Sequence, residues 1–97
     1  MTTKVRDHYG NQIELTDERW RHIVTYHPEL EEFRAEVLET IRRGTRRQDA
    51  VELEKYKYLR KFDGLPFGYT HLVAVVKMVR NNFVLTAYGI EKKGRKR

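Results

Sequence analysis

The sequence predicts an α+β domain in which two N-terminal helices pack on one face of a mostly antiparallel sheet. Two observations point to this class. Apolar residues recur with the period of a helix over residues 17–43, whereas they alternate in twos over much of residues 50–90. Two short extended runs precede the helices, so the predicted order is β-β-α-α-β-β-β, with the helices segregated from most of the strands.

A chain of 97 residues is the size of one domain, and we assign residues 1–93 to that domain and residues 94–97 to a basic C-terminal tail. The absence of cysteine excludes disulfides, thiolate metal sites and cysteine nucleophiles, and it fits a reducing cytosol. No apolar run approaches the roughly 18 residues of a membrane-spanning helix. The N-terminus lacks the apolar core of a signal peptide, so we expect a cytoplasmic protein.

An N-terminal hairpin is the first predicted element. Residues 4–9 and residues 12–15 are short extended runs on either side of the step Gly10-Asn11. A two-residue Gly-Asn step between such runs is typical of a tight hairpin turn. We expect these two strands to be short and to lie at the edge of the sheet.

Two helices follow, joined by a tight corner at Pro28. The first covers residues 17–26, where Thr16 provides an N-cap and acidic residues occupy the first turn, as the helix dipole favours. Pro28 ends this helix, because the residue before a proline is pushed out of the α region, and it suits the first turn of a second helix over residues 29–43. The stripe that the first helix should bury consists of Trp20, Ile23, Val24 and His27.

Three strands are predicted in the second half of the chain, over residues 50–62, 71–79 and 83–90. The middle run is rich in β-branched residues, as expected of a central strand. Asn81 and Asn82 suit a two-residue turn, because asparagine tolerates positive φ. One face of the resulting strand pair is wholly apolar and should pack under the helices; it consists of Leu72, Ala74, Val76, Met78, Phe83, Leu85 and Ala87.

The turn at these two asparagines sets which residues share the opposite face of the strand pair. It pairs Lys77 with Thr86 and places Tyr88 two residues along on the same face. A lysine in the middle of a strand has two explanations, and the sequence leaves both open. Either the face is exposed and Lys77 lies over it, or Lys77 is a cation at the centre of a concave sheet, placed to stabilise a phosphate.

Positive charge is the strongest functional signal in the composition. The net charge is +6, which suits a polyanionic partner such as nucleic acid, anionic lipid or an acidic protein, although a charged surface also keeps a protein soluble. The basic residues cluster in two places, which are Arg42, Arg43, Arg46 and Arg47, and the C-terminal run Lys92, Lys93, Arg95, Lys96 and Arg97. One side of the predicted strand 50–62 interleaves aromatic and basic residues, namely Tyr56, Tyr58, Arg60 and Phe62. Such a side can stack bases and neutralise phosphates, or it can be a half-buried strand surface.

His22 and His27 are the candidate acid–base residues around the first helix. They are five positions apart, about 140° around a helix, so they do not form the i, i+4 pair of a zinc site, and we predict no metal or cofactor. Each is either a structural residue or an acid–base group, since histidine titrates near neutrality. Cleavage of RNA requires only a base, an acid and a cation, because the ribose 2′-OH supplies the nucleophile. The candidate catalytic residues are His22, His27, Arg60, Lys77, Thr86 and Tyr88.

The chain resembles small phage- and toxin-associated proteins of the barnase–EndoU–colicin–RelE nuclease superfamily. The segments that carry the resemblance are ELTDERWRHIVTYHPEL, VLETI, VAVVK and FVLTAY followed by KK, and they span the chain from about residue 13 to residue 93. The resemblance implies a metal-independent endoribonuclease, with two helices packed on a curved antiparallel sheet and an active site on the open face of that sheet. The positions it implies are His27, Lys77, Thr86 and Tyr88, together with His22 in the WRHI segment and Arg60 as a basic residue outside the matched motifs.

We therefore predict a toxin-type ribonuclease, neutralised by a cognate antitoxin protein, that cuts RNA such as ribosome-bound message or transfer RNA by 2′-OH attack with histidine acid–base catalysis. The predicted RNA-binding residues are Arg42, Arg43, Arg46, Arg47, Tyr58, Lys92 and Lys93. One alternative is a non-enzymatic module of the same fold that binds nucleic acid or an acidic partner. Another is a toxin that acts on a different phosphate-bearing substrate.

Overall fold

The computed structural model describes residues 2–92, so the predicted RNA contact at Lys93 and the basic tail at residues 94–97 lie outside the described residues. The strands are β1 (Thr2–Arg6), β2 (Gln12–Thr16), β3 (Thr45–Gln48), β4 (Lys55–Lys61), β5 (His71–Lys77) and β6 (Phe83–Ile90). The helices are α1 (Asp17–Tyr26) and α2 (Arg34–Arg43), and short 3-10 turns occupy Pro28–Leu30 and Pro66–Gly68.

The six strands form one mixed sheet in the order β1-β2-β6-β5-β4-β3. Neighbouring strands are antiparallel except β2 and β6, which run parallel and, in the described part of the chain, pair through Glu14 and Phe83 alone. Both helices pack on one face of this sheet, α1 against β6 and β2, and α2 against β5, β4 and β1. The predicted α+β class, with two helices on one face of a sheet, is therefore confirmed.

The core lies between the helices and the face of the sheet that they cover. Its fully buried side chains come from both helices, the first 3-10 turn and strands β2, β4, β5 and β6; they include Ile13, Leu15, Ile23, Leu30, Val37, Ile41, Tyr58, Leu72, Ala74, Val76, Val84 and Ala87. Of the stripe predicted for α1, Ile23 is fully buried, whereas Trp20, Val24 and His27 are half-buried.

The predicted N-terminal hairpin is confirmed, but its turn is longer than Gly10 and Asn11 alone. The turn covers residues 7–11, and Asp7 organises it, because one carboxylate oxygen accepts hydrogen bonds from the backbone N–H groups of Tyr9 (3.0 Å) and Asn11 (2.7 Å). Gly10 has a φ of 94°, which glycine adopts without strain. β1 is an edge of the sheet as predicted, whereas β2 is an interior strand.

The first helix has the predicted bounds, and the second is shorter than predicted. Thr16 caps α1 by accepting a hydrogen bond from the backbone N–H of Arg19 at 3.0 Å. The 3-10 turn Pro28–Leu30 replaces the predicted start of the second helix, because bonds between residues three apart close this segment tightly and carry Leu30 into the core; α2 begins at Arg34. Within residues 2–92, neither helix has the length and apolar character needed to cross a membrane.

The strand predicted over residues 50–62 begins later than expected, and a further strand precedes it. β4 starts at Lys55, because residues 49–54 form a loop around Asp49, whose carboxylate accepts two backbone hydrogen bonds at 2.8 and 2.7 Å. β3 is absent from the prediction. Its sequence TRRQ has no alternation of apolar residues, and it becomes a strand only by pairing with β4.

The predicted pairing of Lys77 with Thr86 is wrong. Lys77 pairs with Phe83, and Thr86 pairs with Val75. The connection between these strands occupies residues 78–82 rather than a two-residue turn. Backbone hydrogen bonds to distant segments hold both ends of this longer connection. The Met78 N–H donates to the Glu54 carbonyl at 2.7 Å, and the Asn82 carbonyl accepts from the Glu14 N–H at 3.0 Å.

A β-bulge in β6 also changes which residues enter the core. The partner of Val75 is Thr86, but the partner of Val76 is Val84, so Leu85 is an extra residue on β6. The bulge turns Val84 into the core, where it is 1% exposed. The predicted apolar face is therefore wrong at this point, since Val84 enters the core in place of Phe83 and Leu85.

The sheet curls so strongly that its two edges approach each other. β1 and β3 are opposite edges, yet Asp7, which follows β1, accepts a hydrogen bond from the Tyr58 hydroxyl on β4 and lies 3.6 Å from the guanidinium of Arg46 on β3. Tyr58 is fully buried in this contact. Its predicted role in RNA binding is corrected, because its side chain is part of the core and has no surface to offer a ligand.

Candidate active site on the open face of the sheet

The face of the sheet opposite the helices carries a groove. Strand alternation places one row of side chains across this face, consisting of Arg47, Lys57, Val75 and Thr86. The next row consists of Thr45, Leu59, Val73 and Tyr88. The groove has a volume of about 640 Å³, and Leu59, Val73 and Ile90 are the aliphatic residues that line it. Val73 is only 5% exposed.

The rim of the groove is basic. Among the described residues, four basic side chains line it against one carboxylate; they are Arg46, Arg47, Lys57 and Lys92, with Glu91 as the acid. Within residues 2–92, no ion pair joins Arg47, Lys57 or Lys92 to a carboxylate, so their charge is available to a ligand. Cations around an apolar floor suit a polyanion with flat apolar parts, which is the chemistry of a nucleic acid.

His27 lies beside Tyr88 at one end of the groove. β2 leaves β6 after their one pairing, and the end of α1 packs along β6 instead. The backbone of His27 has left the helical region (φ −133°, ψ 68°), because Pro28 follows it, although its N–H still donates to the Ile23 carbonyl at 2.8 Å. This corner brings the centres of the His27 and Tyr88 rings to 6.1 Å from each other.

A chain of contacts holds His27 in place. A carboxylate oxygen of Glu29 is 3.8 Å from His27 Nδ1 and accepts a hydrogen bond from the Tyr69 hydroxyl at 3.0 Å. Burial and this hydrogen bond raise the pKa of Tyr69, so the phenol stays protonated and donates. The Tyr69 ring lies directly over Gly89, where any Cβ would overlap it. The contacts thus lead from His27 through Glu29 and Tyr69 back to the strand that carries Tyr88.

His71 is a second histidine on the open face, and it is absent from the predicted site residues. It pairs with Ile90 on β6 and, by alternation along β5, faces the same side as Val73, which is the partner of Tyr88. Tyr88 is therefore close to His27, 6.1 Å from ring centre to ring centre, and it shares the open face with His71 on the neighbouring strand β5. The signal that could have found His71 is the alternation of residues 71–79, which puts position 71 on the face already assigned to Lys77.

The surroundings of His71 favour its neutral form. Burial, with the positive charges of Lys92 and Lys61 nearby, lowers the pKa of the His71 ring. One ring nitrogen, Nδ1, is 2.7 Å from the Thr70 hydroxyl, which fixes the orientation of the ring. The neutral ring is therefore available to accept a proton at neutral pH.

Thr86 and Lys77 share the open face with Tyr88 but lie progressively farther along it. Thr86 is two residues from Tyr88 on β6. Lys77 is at the other end of β5, about 13 Å along the strand from the residue that pairs with Tyr88. Its Nζ atom is 3.8 Å from the carboxylate of Glu54. The structure therefore brings His27 to Tyr88, places Thr86 midway along the face and leaves Lys77 at the far end.

Arg60 and His22 lie outside this site. Arg60 pairs with Leu72 and so faces the helices rather than the groove, with its guanidinium 4.8 Å from the centre of the Phe62 ring. His22 lines a separate groove of about 370 Å³, formed by α1 and the junction of β2 with β6. Its ring lies 4.9 Å from that of Tyr26. The geometry does not support the predicted catalytic roles of these two residues.

The predicted arginine cluster is divided between the two sides of the sheet. Arg42 and Arg43 are on α2, and both pair with Glu39, at 2.5 and 2.7 Å. Arg46 borders the groove but turns its guanidinium to the covered side, where two tyrosine rings lie 4.2 and 4.6 Å from it. Of the four arginines, Arg47 is the one that strand alternation places on the open face.

Neither a cluster of possible metal ligands among residues 2–92 nor a match to a known protein points to a function. Within residues 2–92, no three His, Cys, Asp or Glu side chains come together in a way that could hold a metal ion. Comparison of the chain with family models, with curated proteins and with solved structures found no match. Membership of the barnase–EndoU–colicin–RelE superfamily therefore stays a prediction, and the function has to be inferred from the residues on the open face.

Proposed function

We propose that the protein is a metal-independent endoribonuclease that binds RNA in the open groove and cleaves it beside Tyr88. One observation carries the proposal: Tyr88 lines a basic groove, the His27 ring is 6.1 Å from the Tyr88 ring, and His71 is two residues from the strand partner of Tyr88 on the same face. The groove supplies positive charge for phosphates, and the two histidines supply the acid and the base that cleavage requires.

The proposed reaction is an internal transesterification of the RNA backbone. The ribose 2′-oxygen attacks the adjacent phosphorus, and its proton passes to a neutral histidine that acts as the base. The bond between phosphorus and the 5′-oxygen breaks, and a protonated histidine donates a proton to that oxygen. The products are a 2′,3′-cyclic phosphate end and a 5′-hydroxyl end, so atoms and charges balance without any other reactant.

The two histidines have different surroundings, which suit the two roles. His71 has a lowered pKa and is neutral at pH 7, as a base must be. A carboxylate oxygen of Glu29 lies 3.8 Å from Nδ1 of His27, on one side of the ring, which leaves the other ring nitrogen to act as the proton donor. Lys92 lines the same end of the groove and is placed to stabilise the negative charge that develops on the phosphate.

The test is cleavage of RNA by the purified protein in EDTA, with wild type compared with His27→Ala, His71→Ala and His22→Ala. Loss of the acid or the base should lower the rate about 10²–10⁴-fold. His22 lies in the separate groove, so His22→Ala is a matched histidine control that should cleave at the wild-type rate. Detection of 2′,3′-cyclic phosphate ends would identify the reaction.

Two results would contradict this proposal. Equal cleavage by all three variants would place the chemistry elsewhere. RNA that is bound but intact in every sample would identify the alternative, a non-enzymatic RNA-binding module that uses the same groove. The proposal includes a toxin role with a cognate antitoxin, which the sequence resemblance implies; growth arrest by wild type but not by His27→Ala on expression would support it.

A further inference from the structure

Phe67 is an exposed aromatic residue in an unfavourable backbone conformation. It is 76% exposed, and its φ and ψ are 57° and 24°. Among residues 2–92, it is the one residue other than glycine with a positive φ. This left-handed region is disfavoured for a residue with a Cβ atom. The conformation belongs to a tight turn over residues 66–69, which the Tyr69 N–H closes by donating to the Pro66 carbonyl at 3.0 Å. Such a turn favours asparagine or glycine at this position, and an exposed ring adds nothing to the core, so the choice of phenylalanine indicates a role outside folding.

The loop that carries Phe67 is fixed rather than loosely attached. The strands on either side of it are joined by a hydrogen bond from the Phe62 N–H to the Thr70 carbonyl at 3.0 Å. The Phe67 ring meets the Tyr69 ring edge to face, with the centres 5.9 Å apart. Tyr69 is itself held by its hydrogen bond to Glu29. Phe67 is therefore presented to solvent by a loop whose neighbours are in place.

This loop adjoins the end of the groove at which the two histidines lie. The Thr70 N–H donates to the Ile90 carbonyl at 2.9 Å, and the Thr70 hydroxyl accepts from the Lys92 N–H at 2.8 Å. Ile90 and Lys92 both line the groove. Phe67 is three residues before Thr70, and its ring contacts Tyr69, which holds Glu29. Phe67 therefore belongs to the loop that adjoins this end of the groove.

Other exposed apolar residues differ from Phe67 in these respects. Val51 and Leu53 are 87% and 62% exposed, but they lie in the loop over residues 49–54 and have no aromatic face. Tyr26 is 68% exposed, but its ring already contacts that of His22 on the far flank of α1. Phe67 combines an exposed aromatic face, a fixed backbone and a place in the loop that adjoins the basic groove.

We propose that Phe67 is a stacking platform for an unpaired base and that the substrate of the groove is accordingly single-stranded RNA. This inference rests on the proposed function. Any base offers a flat face that stacks on phenylalanine with little sequence preference, while basic side chains hold the phosphates. A duplex keeps its bases stacked inside the helix, where Phe67 cannot reach them. The excess of basic over acidic residues along the groove favours this occupant over a peptide.

The test measures the affinity of fluorescently labelled RNA by anisotropy, with a single strand and the matching duplex. The RNA is 2′-O-methylated, so it lacks the nucleophile and stays intact. Phe67→Ala and Phe67→Leu should weaken single-strand binding about 5- to 100-fold, the effect of losing one stacked base. Phe67→Tyr keeps an aromatic face and should bind within about 2-fold of wild type. Val51→Ala removes an exposed apolar side chain elsewhere and should bind as wild type does.

Two further readouts separate stacking from other causes. Phe67 carries no charge, so the dependence of affinity on salt should not change in Phe67→Ala. Duplex binding should also stay unchanged, and thermal melts check that each variant is folded. Wild-type affinity for the single strand in Phe67→Ala and Phe67→Leu, or an equal loss of duplex affinity, would overturn the stacking role and leave the proposed function standing. Absence of RNA binding by the wild-type protein would overturn both.

Discussion

Asp7 is a buried carboxylate that joins the two edges of the curled sheet. It is 3% exposed and accepts hydrogen bonds from the Tyr58 hydroxyl and from the backbone N–H groups of Tyr9 and Asn11. Burial acts to raise the pKa of Asp7, but the hydrogen bonds outweigh it and lower the pKa. Burial, together with the hydrogen bond to Asp7, raises the pKa of Tyr58. Asp7 is therefore ionised and Tyr58 protonated across the neutral range.

Replacing Asp7 with asparagine should lower the free energy of unfolding by about 1–3 kcal/mol at pH 7, because the buried Tyr58 hydroxyl loses a charged acceptor. Urea unfolding measures this loss. Tyr58→Phe removes one of the hydrogen bonds and leaves those within the hairpin turn, so it should cost less than Asp7→Asn and serves as the control. A larger loss in Tyr58→Phe than in Asp7→Asn would show that the carboxylate does not stabilise the hairpin turn.

The same variant has a distinctive dependence on pH. The pKa of Asp7 in the folded protein lies below its unfolded value of about 3.9, so its stabilisation is fully present above that value and is lost as pH falls through the folded pKa. The asparagine side chain does not titrate, so it makes no such pH-dependent contribution to stability. The difference in stability between wild type and Asp7→Asn should therefore shrink as pH falls below about 4. A difference of the same size at pH 3 and pH 7 would show that the charge of Asp7 has no part in it.

Local sequence patterns offer no reason to pair these two residues, since Asp7 and Tyr58 are 51 positions apart. Asp7 precedes a predicted turn, where an aspartate needs no distant partner. Tyr58 alternates with aromatic and basic residues, which is equally typical of a binding surface and of a half-buried strand. The buried contact depends on the curl of the whole sheet, and that curl is not encoded in either local pattern.

At the level of elements, the corner after α1 and the strand β6 together position His27. The proline corner turns the chain out of the helix, and Tyr69 ties Glu29 to the sheet. Tyr69 can lie against β6 only because Gly89 has no side chain. A glycine within a strand otherwise weakens it, so its place here is explained by this close approach of a ring to the backbone.

Gly89→Ala should displace the Tyr69 ring, because the added Cβ overlaps it, and the shift should break the hydrogen bond to Glu29. We expect a loss of about 1–3 kcal/mol in stability and slower RNA cleavage, since His27 is no longer held. Tyr69→Phe keeps the ring and removes only the hydrogen bond, so it should slow cleavage at a stability cost of about 1 kcal/mol. Wild-type cleavage in both variants would show that the contact between Tyr69 and Glu29 does not position His27.

The elements whose period and end signals are both local were predicted with correct bounds, and the largest errors have non-local causes. α1 and β6 have the predicted bounds because their periodicity and end signals lie within the segment. β3 has no apolar period and forms by pairing with β4. The predicted pairing of β5 with β6 was wrong, because the bulge at Leu85 shifts the register of the two strands and places Val84 in the core. Residues 78–82 bond to the backbone of distant segments, which no two-residue turn rule anticipates.

Across the whole molecule, the two sides of the sheet carry their positive charge differently. On the helix side, Arg42 and Arg43 share the carboxylate of Glu39. On the open side, Arg47 and Lys57 are neighbours across β3 and β4, and neither forms an ion pair within residues 2–92. The sequence predicts that the chain is basic, but only the fold separates charge that is already paired from charge that a polyanion can use.

The candidate site was predicted only in part, because some of its geometry also depends on the fold. Residue type and strand alternation point to Tyr88 and Thr86, and the proline corner points to His27. Tyr88 and Thr86 lie on the open face, and the His27 ring is 6.1 Å from the Tyr88 ring. The distance of Lys77 from Tyr88 depends on strand register, and the side of the sheet on which Arg60 lies can be named only once the side that the helices cover is known. Neither quantity can be obtained from a local pattern.

Replacing Arg47 and Lys57 together with glutamine should weaken RNA binding, whereas replacing Arg42 and Arg43 in the same way should leave it unchanged. Each double variant removes two positive charges, so a general loss of charge cannot explain a difference between them. On a single strand, each phosphate that a cation no longer neutralises lowers the slope of log affinity against log salt by about 0.7, so the slope of the groove variant should be smaller by about 1.4. Anisotropy titrations of 2′-O-methylated RNA at several salt concentrations measure both the affinity and the slope. Equal effects in the two variants would mean that RNA also binds the helix side, and that the open groove is not the principal binding surface.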